Sequence, residues 1–313
     1  MKGNLRKAVL AVFLAGPLWL GLASNGGRGP GLYPGVHFRS TRPWIKATGE
    51  WRAEGSSLDA QFKPEEILDQ AKWEEFLRTA TIVAEYQMKE SEGVTRPWVL
   101  TLEKDGVKHQ AIWKDAIGRM KGYMESWKAE IATYRLSKHL GLNMVPPTME
   151  KERQGKSGSC QLWVVSWKDY FTIVNEERQP PPNRVNSFLR ALSLQRAFDN
   201  LIANADRHGK NYLITEDWRM ILIDHSRSFR KGPDFTTKLL YDETNRVSRS
   251  FIMDQLPRKF VEILRALTAP AIRDIVGEYL ADEEIADTLK RRDLMTAWID
   301  KHILDKGEAY VLY

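Results

Sequence analysis

The chain has one cysteine, Cys160, in 313 residues, so no intrachain disulfide can form and no disulfide-linked partner is expected. Its neighbours Leu162 and Trp163 suggest a buried structural thiol. No internal repeat is visible, which removes solenoids and propellers. The six histidines include no His-x-x-x-His pair, the helical spacing that would present two imidazoles to one metal. The most apolar stretch, Ala8 to Ala23, is broken by Gly16-Pro17 and falls short of the ~20 residues a membrane span needs.

That stretch follows Lys2, Arg6 and Lys7 and ends in the small residues Gly21-Leu22-Ala23 before the polar Asn25-Gly26-Gly27, the layout of a secretory signal peptide. No cysteine follows it, which disfavours a bacterial lipoprotein. Residues 1–23 are read as an export segment, with an uncleaved membrane anchor as the alternative, and a periplasmic, secreted or secretory-lumen location is expected. The charge of +6 shrinks accordingly: without those three basic residues, 44 Lys and Arg face 41 Asp and Glu. Such a balance implies no nucleic-acid partner. The length suits one two-lobed domain with a large core rather than two independent domains.

The most informative stretch is Asn204-Ala205-Asp206-Arg207-His208-Gly209-Lys210-Asn211, followed by Ile221-Leu222-Ile223-Asp224-His225-Ser226. It sets an amide five residues after Asp206 and a second carboxylate eighteen residues after it. Asn211–Thr215 and Arg219–Asp224 read as two β runs joined at Glu216-Asp217, and the fold-back brings Asp224 beside Asn211, where both oxygens suit a hard cation. Upstream, Ser187 to Ala203 repeats apolar residues with a helical period. In phosphoryl transfer one Asp accepts the acceptor's proton, an Asn five residues on holds a metal, and a second Asp holds the metals. Asp206, Asn211 and Asp224 fit those roles in that order.

The remaining parts of such a site are sought upstream. Val107 to Lys114 ends in Ala-Ile-Trp-Lys, a β-like run that makes Lys114 the candidate cation for nucleotide phosphates. A long helix is expected over Gly122 to Leu140, closed by Gly141. It carries Glu130, the expected partner of Lys114, with Glu125 as the alternative. Between the β runs Thr81–Met88 and Trp98–Glu103 lies the place for a phosphate-covering turn, whose only glycine is Gly93. Gly158 to Trp167 reads as a buried strand with its Trp and Val residues as core. Val174 to Asn186 is a polar, proline-stiffened connection. Helices are expected over Pro257–Leu267, Ala269–Leu280 and Asp282–His302.

On "NADRHGKN", "IDHSRSF" and the run from Glu130 through Tyr134-Arg135-Leu136 and Gly141-Leu142 to Val145-Pro146, the chain resembles the atypical branch of the protein-kinase-like superfamily. The resemblance is to the secretory-pathway (Golgi casein kinase and four-jointed-like) kinases, with HipA-type and phosphatidylinositol 3-/4-kinase-like motifs, and covers roughly residues 80 to 250. It implies an α+β, two-lobed protein-kinase-like fold: a small antiparallel-sheet N-lobe with one long helix and a mainly helical C-lobe. The implied organisation is an export segment (1–23), an N-terminal extension with one helix (24–79), N-lobe and hinge (80–168) and C-lobe (169–313). The resemblance makes the strand from Gly158 the hinge, placed near Val165 to Lys168, whose backbone meets the adenine. It further implies ATP with Mg²⁺ or Mn²⁺, and a hydroxyl-bearing acceptor that is protein, sugar or lipid. His225 and Ser226 stand where protein kinases have Phe-Gly, and the single cysteine sets the chain apart from the disulfide-rich animal secretory kinases. Three other readings use the same residues: a nucleotidyl transferase, a nucleotide-binding pseudokinase or module, and a metal hydrolase built from Asp206, His208, Asp224 and His225.

Overall fold

The computed structural model describes residues 61–89, 95–241 and 253–313. The expected export segment and Gly93 lie outside them. Two strands, β2 (Trp98–Lys104) and β3 (Val107–Lys114), pair antiparallel around an Asp105-Gly106 turn whose φ angles, +50° and +75°, are those a two-residue hairpin demands. Ahead of them runs β1 (Thr81–Gln87), and later come β6 (Thr148–Arg153) and β7 (Lys156–Leu162), giving an antiparallel sheet in the order β1-β2-β3-β7-β6.

One face of this sheet is sealed by a helix that the sequence placed in an extension. After a short α1 (Pro64–Leu68), helix α2 (Gln70–Thr79) sets Trp73, Phe76 and Leu77 at i, i+3 and i+4 against Leu100, Leu102, Ala111, Trp113 and Cys160. Residues from Gln70 onward therefore belong to the small-lobe core. The C-terminal carbonyls of α2 are met by a buried ammonium: Lys151 Nζ donates to Leu77 O at 3.1 Å and to Ala80 O at 2.6 Å. Cys160 is fully buried, and burial pushes its thiol up to about 12.

The helix expected from Gly122 begins later. Residues Ile117–Met120 (β4) and Tyr123–Ser126 (β5) form a separate hairpin, and α3 spans Trp127–His139. The turn residues Lys121 and Gly122 both have positive φ, at +48° and +90°, so the chain reverses there instead of entering a helix. Helix α3 lies between the lobes. Its buried residues Ile131, Tyr134 and Leu136 join the large-lobe core, where they meet α7 (Ala269–Val276) and Tyr279.

The strand expected over Gly158–Trp167 ends at Leu162, and residues 163–167 cross between the lobes without regular structure. Strand β8 (Lys168–Asp169) already belongs to a three-stranded sheet with β9 (Tyr212–Ile214) and β10 (Met220–Leu222). The large lobe is otherwise helical: α4 (Tyr170–Asn175), which was not expected, α5 (Val185–Leu201), α6 (Arg258–Ala266), α7, α8 (Asp282–Lys306) and α9 (Glu308–Val311). The architecture is α+β and two-lobed: a small lobe built on the five-stranded antiparallel sheet and a mainly helical large lobe. Among the described residues, no helix is long and apolar enough to cross a membrane.

Gly158 is where β7 passes Trp113. A Cβ there would fall 2.5 Å from Lys114 O and 2.6 Å from the Trp113 ring. Gly158→Ala should therefore lower stability by about 1–3 kcal/mol, the usual cost of overpacking, measured by urea denaturation. A midpoint equal to that of the unmodified protein would contradict this packing.

Candidate active site between the lobes

Strand β3 ends by delivering Lys114 to the interlobe cleft. Its Nζ donates to Glu130 Oε1 at 2.5 Å and to Asp224 Oδ1 at 2.8 Å. The three residues come from β3, the first turn of α3, and the segment just after β10. Burial opposes the charge on Lys114, but the Asp224 and Glu130 carboxylates override it and hold its pKa above the ordinary lysine value. Burial likewise opposes ionisation of Glu130, whose side chain is 3 % exposed, yet Lys114, with help from His225, holds its carboxyl well below the usual range. Asp224 is shifted in the same direction: burial raises it, and the Lys114 ammonium more than reverses this. Glu130 Oε2 also accepts the His225 backbone N–H at 3.0 Å, so one carboxylate fixes both the lysine and the turn after Asp224. Glu125, the alternative partner of Lys114, points elsewhere. Its two oxygens accept Ser226 Oγ and Arg227 Nε, each at 2.6 Å.

The Asp206 loop is built on a buried ion pair. Arg207 Nε and Nη2 donate to the two oxygens of Asp199 on α5 at 2.9 and 3.1 Å, and both side chains are fully buried. Nη1 of the same guanidinium donates to Asn211 O at 2.9 Å and Ile223 O at 2.8 Å. The Ile223 N–H returns a bond to Asn211 O at 3.2 Å, which holds Asp224 beside Asn211 as the β9–β10 fold-back requires. Asp224 itself sits at φ +60°, a left-handed conformation that Asp tolerates better than bulky residues and that recurs at functional sites. Gly209 completes the loop. A Cβ there would lie 3.0 Å from the Phe171 backbone N, so a larger residue would require the loop or α4 to shift slightly.

Asp206 is partly exposed. Its backbone N–H donates to Asn204 Oδ1 at 3.2 Å, and its Oδ2 forms an ion pair with Arg227 Nη1 at 2.9 Å. Asn211 is buried and donates its Nδ2 to Asp206 O at 3.3 Å, so Oδ1 is the atom that could meet a cation. Asp206, Asn211, Lys114 and Asp224 all face one cavity of about 720 Å³, lined also by Ile112 of β3 and by Val165 of the segment between the lobes. Val165 is 82 % exposed, so its role is confined to the rim. Met88, Thr95 and Pro97 line the same cavity.

The donors suit a hard divalent cation: one carboxylate and one amide oxygen, a set that two phosphate oxygens and water would complete. Among the described residues, no group of three or more His, Cys, Asp and Glu side chains has metal-holding geometry. The four residues of the hydrolase reading do not converge. His225 is fully buried with its Nδ1 3.7 Å from Glu130 Oε2, whereas His208 is exposed on the cavity wall.

Two further side chains line the cavity without a local sequence signal for it: Arg227, three residues after Asp224, and Glu125, which the sequence offers as a partner of Lys114.

The Lys114–Glu130 pair predicts a pH signature. The folded-state pKa of Glu130 lies below its ordinary 4.5, so its contribution to stability is complete above pH 4.5 and is lost as pH falls through the folded value. Lys114→Met leaves a buried carboxylate unpaired and raises its pKa, so that variant should lose about 3–5 kcal/mol at neutral pH. Its stability should then fall, not rise, between about pH 5 and pH 8. Urea denaturation across that range measures both, and parallel pH profiles for the two proteins would contradict the assignment.

No protein-family model and no curated protein matches the chain. Among solved structures it is similar to the Helicobacter pylori proinflammatory kinase CtkA, at 13 % identity and a TM-score of 0.41, over 66 % of this chain and 91 % of that one.

Proposed function

We propose that this protein is an ATP- and metal-dependent phosphotransferase that moves the γ-phosphoryl group to a hydroxyl acceptor. The observation that carries the reading is the position of Lys114 Nζ, 2.5 Å from Glu130 and 2.8 Å from Asp224, at the wall of the cavity that also holds Asp206 and Asn211. A lysine fixed by a buried glutamate is the arrangement phosphoryl transfer uses to bind nucleotide phosphates. Residues 163–167 would meet the adenine through their backbone.

Asp224 and Asn211 would hold Mg²⁺ or Mn²⁺, which when bound neutralises phosphate charge and orients the γ-phosphoryl group. Asp206 accepts the proton of the acceptor hydroxyl and orients its oxygen for attack. Arg207 takes no part in proton transfer; it holds the loop in place through Asp199. The protein, sugar or lipid nature of the acceptor is not written in these residues. With the export segment, the proposal extends to a kinase acting outside the cytoplasm.

The test incubates the full chain with γ-labelled ATP and either Mg²⁺ or Mn²⁺ and follows self-labelling and ATP turnover. Asp206→Ala should slow transfer by about 10²–10⁴-fold, and Lys114→Ala and Asp224→Ala should abolish it. Turnover that survives Lys114→Ala would favour a hydrolase, and labelling from the α- but not the γ-phosphate would favour a nucleotidyl transferase.

A further inference from the structure

The cleft holds a second fixed cation with no role in the parts assigned so far. Arg227 lines the cavity with its side chain only 12 % exposed. Three groups define its position: Nε donates to Glu125 Oε1 at 2.6 Å, Nη1 reaches Asp206 Oδ2 at 2.9 Å, and the guanidinium lies 4.2 Å from the centre of the Tyr123 ring. Glu125 is fully buried, and its other oxygen accepts Ser226 Oγ at 2.6 Å. Ser226 Oγ lies 3.3 Å from Asp224 Oδ1, and Ser226 O accepts the Ser126 N–H at 2.8 Å. The β4–β5 hairpin thus serves as a bracket. It puts a buried carboxylate and an aromatic ring behind one arginine and aims that arginine at Asp206.

We propose that Arg227 is the catalytic cation that binds the equatorial oxygens of the phosphoryl group in flight, with Glu125 as its positioning residue. The inference rests on the phosphotransferase reading above. Its argument is one of charge and place. Asp206, Asp224, Glu125 and Glu130 bring four carboxylates to the cleft, and a transferring phosphoryl group adds further negative charge there. Lys114 is tied to Glu130 and Asp224, at the nucleotide end. At the acceptor end, the guanidinium beside Asp206 is Arg227. In the step itself, the acceptor oxygen gives its proton to Asp206 and forms a bond to the γ-phosphorus as the bond from that phosphorus to the β,γ-bridging oxygen breaks. ADP leaves, and Asp206 returns the proton to solvent. The acceptor's oxygen begins at Asp206, so the phosphorus must pass close to the group 2.9 Å from that carboxylate. Glu125 occupies Nε and Asp206 one side of Nη1, which leaves Nη2 and the second N–H of Nη1 on the planar fork to face phosphoryl oxygens. A guanidinium already held by a buried carboxylate needs no reorganisation as that charge develops.

The test compares the full-length protein with Arg227→Ala, Arg227→Lys, Glu125→Gln and Lys114→Ala. It measures MgADP affinity by calorimetry, the tightening of MgADP by aluminium fluoride, which mimics a phosphoryl group in flight, and kcat for γ-label transfer. Arg227→Ala should keep MgADP affinity, lose the fluoride-dependent tightening and lower kcat by about 10²–10³-fold. Added guanidinium ion should restore part of that kcat. Arg227→Lys should fall between, and Glu125→Gln should lower kcat with Arg227 intact while guanidinium fails to restore it. Transfer and fluoride tightening in Arg227→Ala equal to those of the unmodified protein would overturn the assignment. So would a loss confined to MgADP affinity. If the unmodified protein binds no MgADP, or binds it equally well as Lys114→Ala, the phosphotransferase reading itself fails.

Discussion

The contact on which the rest of the molecule depends is the three-way junction of Lys114 with Glu130 and Asp224. Each partner arrives on a different element: a small-lobe strand, the interlobe helix and the large-lobe segment after β10. An ammonium so little exposed is tolerated only when opposite charge reaches it, and here two carboxylates do so, one from the interlobe helix and one from the large lobe. Glu130 adds the His225 N–H to the same knot. Removing the lysine would leave a carboxylate stranded inside the protein and release the turn that places Asp224.

The same device appears twice more around the cleft. Asp199 on α5 grips Arg207, which in turn holds the carbonyls of Asn211 and Ile223. Glu125 on the β4–β5 hairpin grips Arg227, which reaches Asp206. In each case a buried carboxylate fixes a cation and the cation fixes a loop. Buried ion pairs of this kind contribute little net stability against an apolar alternative, but breaking one partner is costly. They are better understood as setting geometry: the oxygens of Asp206, Asn211 and Asp224 face one cavity because three cations leave their loops little other choice.

Much of this was legible in the sequence because it is local. Strand β3 ends at Lys114, the close of its Ala-Ile-Trp-Lys run, α5 follows its helical repeat, and the β9–β10 fold-back follows from two β runs around Glu216-Asp217. The spacing from Asp206 to Asn211 and Asp224 carried the rest of the large-lobe site. The misreadings are equally physical. Gly122 to Ser126 was read as the start of a helix, although Lys121-Gly122 is a turn signal flanked by short β runs; a long helical pattern immediately after it outweighed the signal. Helix α2 was separated from the small lobe because nothing local shows that Trp73, Phe76 and Leu77 pack on strands that come later in the chain. Arg227 was invisible for the same reason: its carboxylate partner lies 102 residues earlier, on the hairpin that had been misread.

The central claim is that the knot around Lys114 is a metal-nucleotide site shared by both lobes. Amide hydrogen exchange with Mn²⁺-ATP, compared with ATP plus a chelator, tests it most directly. The account predicts concerted added protection in β3, in residues 163–167 and in residues 223–227, only when metal and nucleotide are both present. Protection absent from all three segments, or equal with chelator, would contradict it.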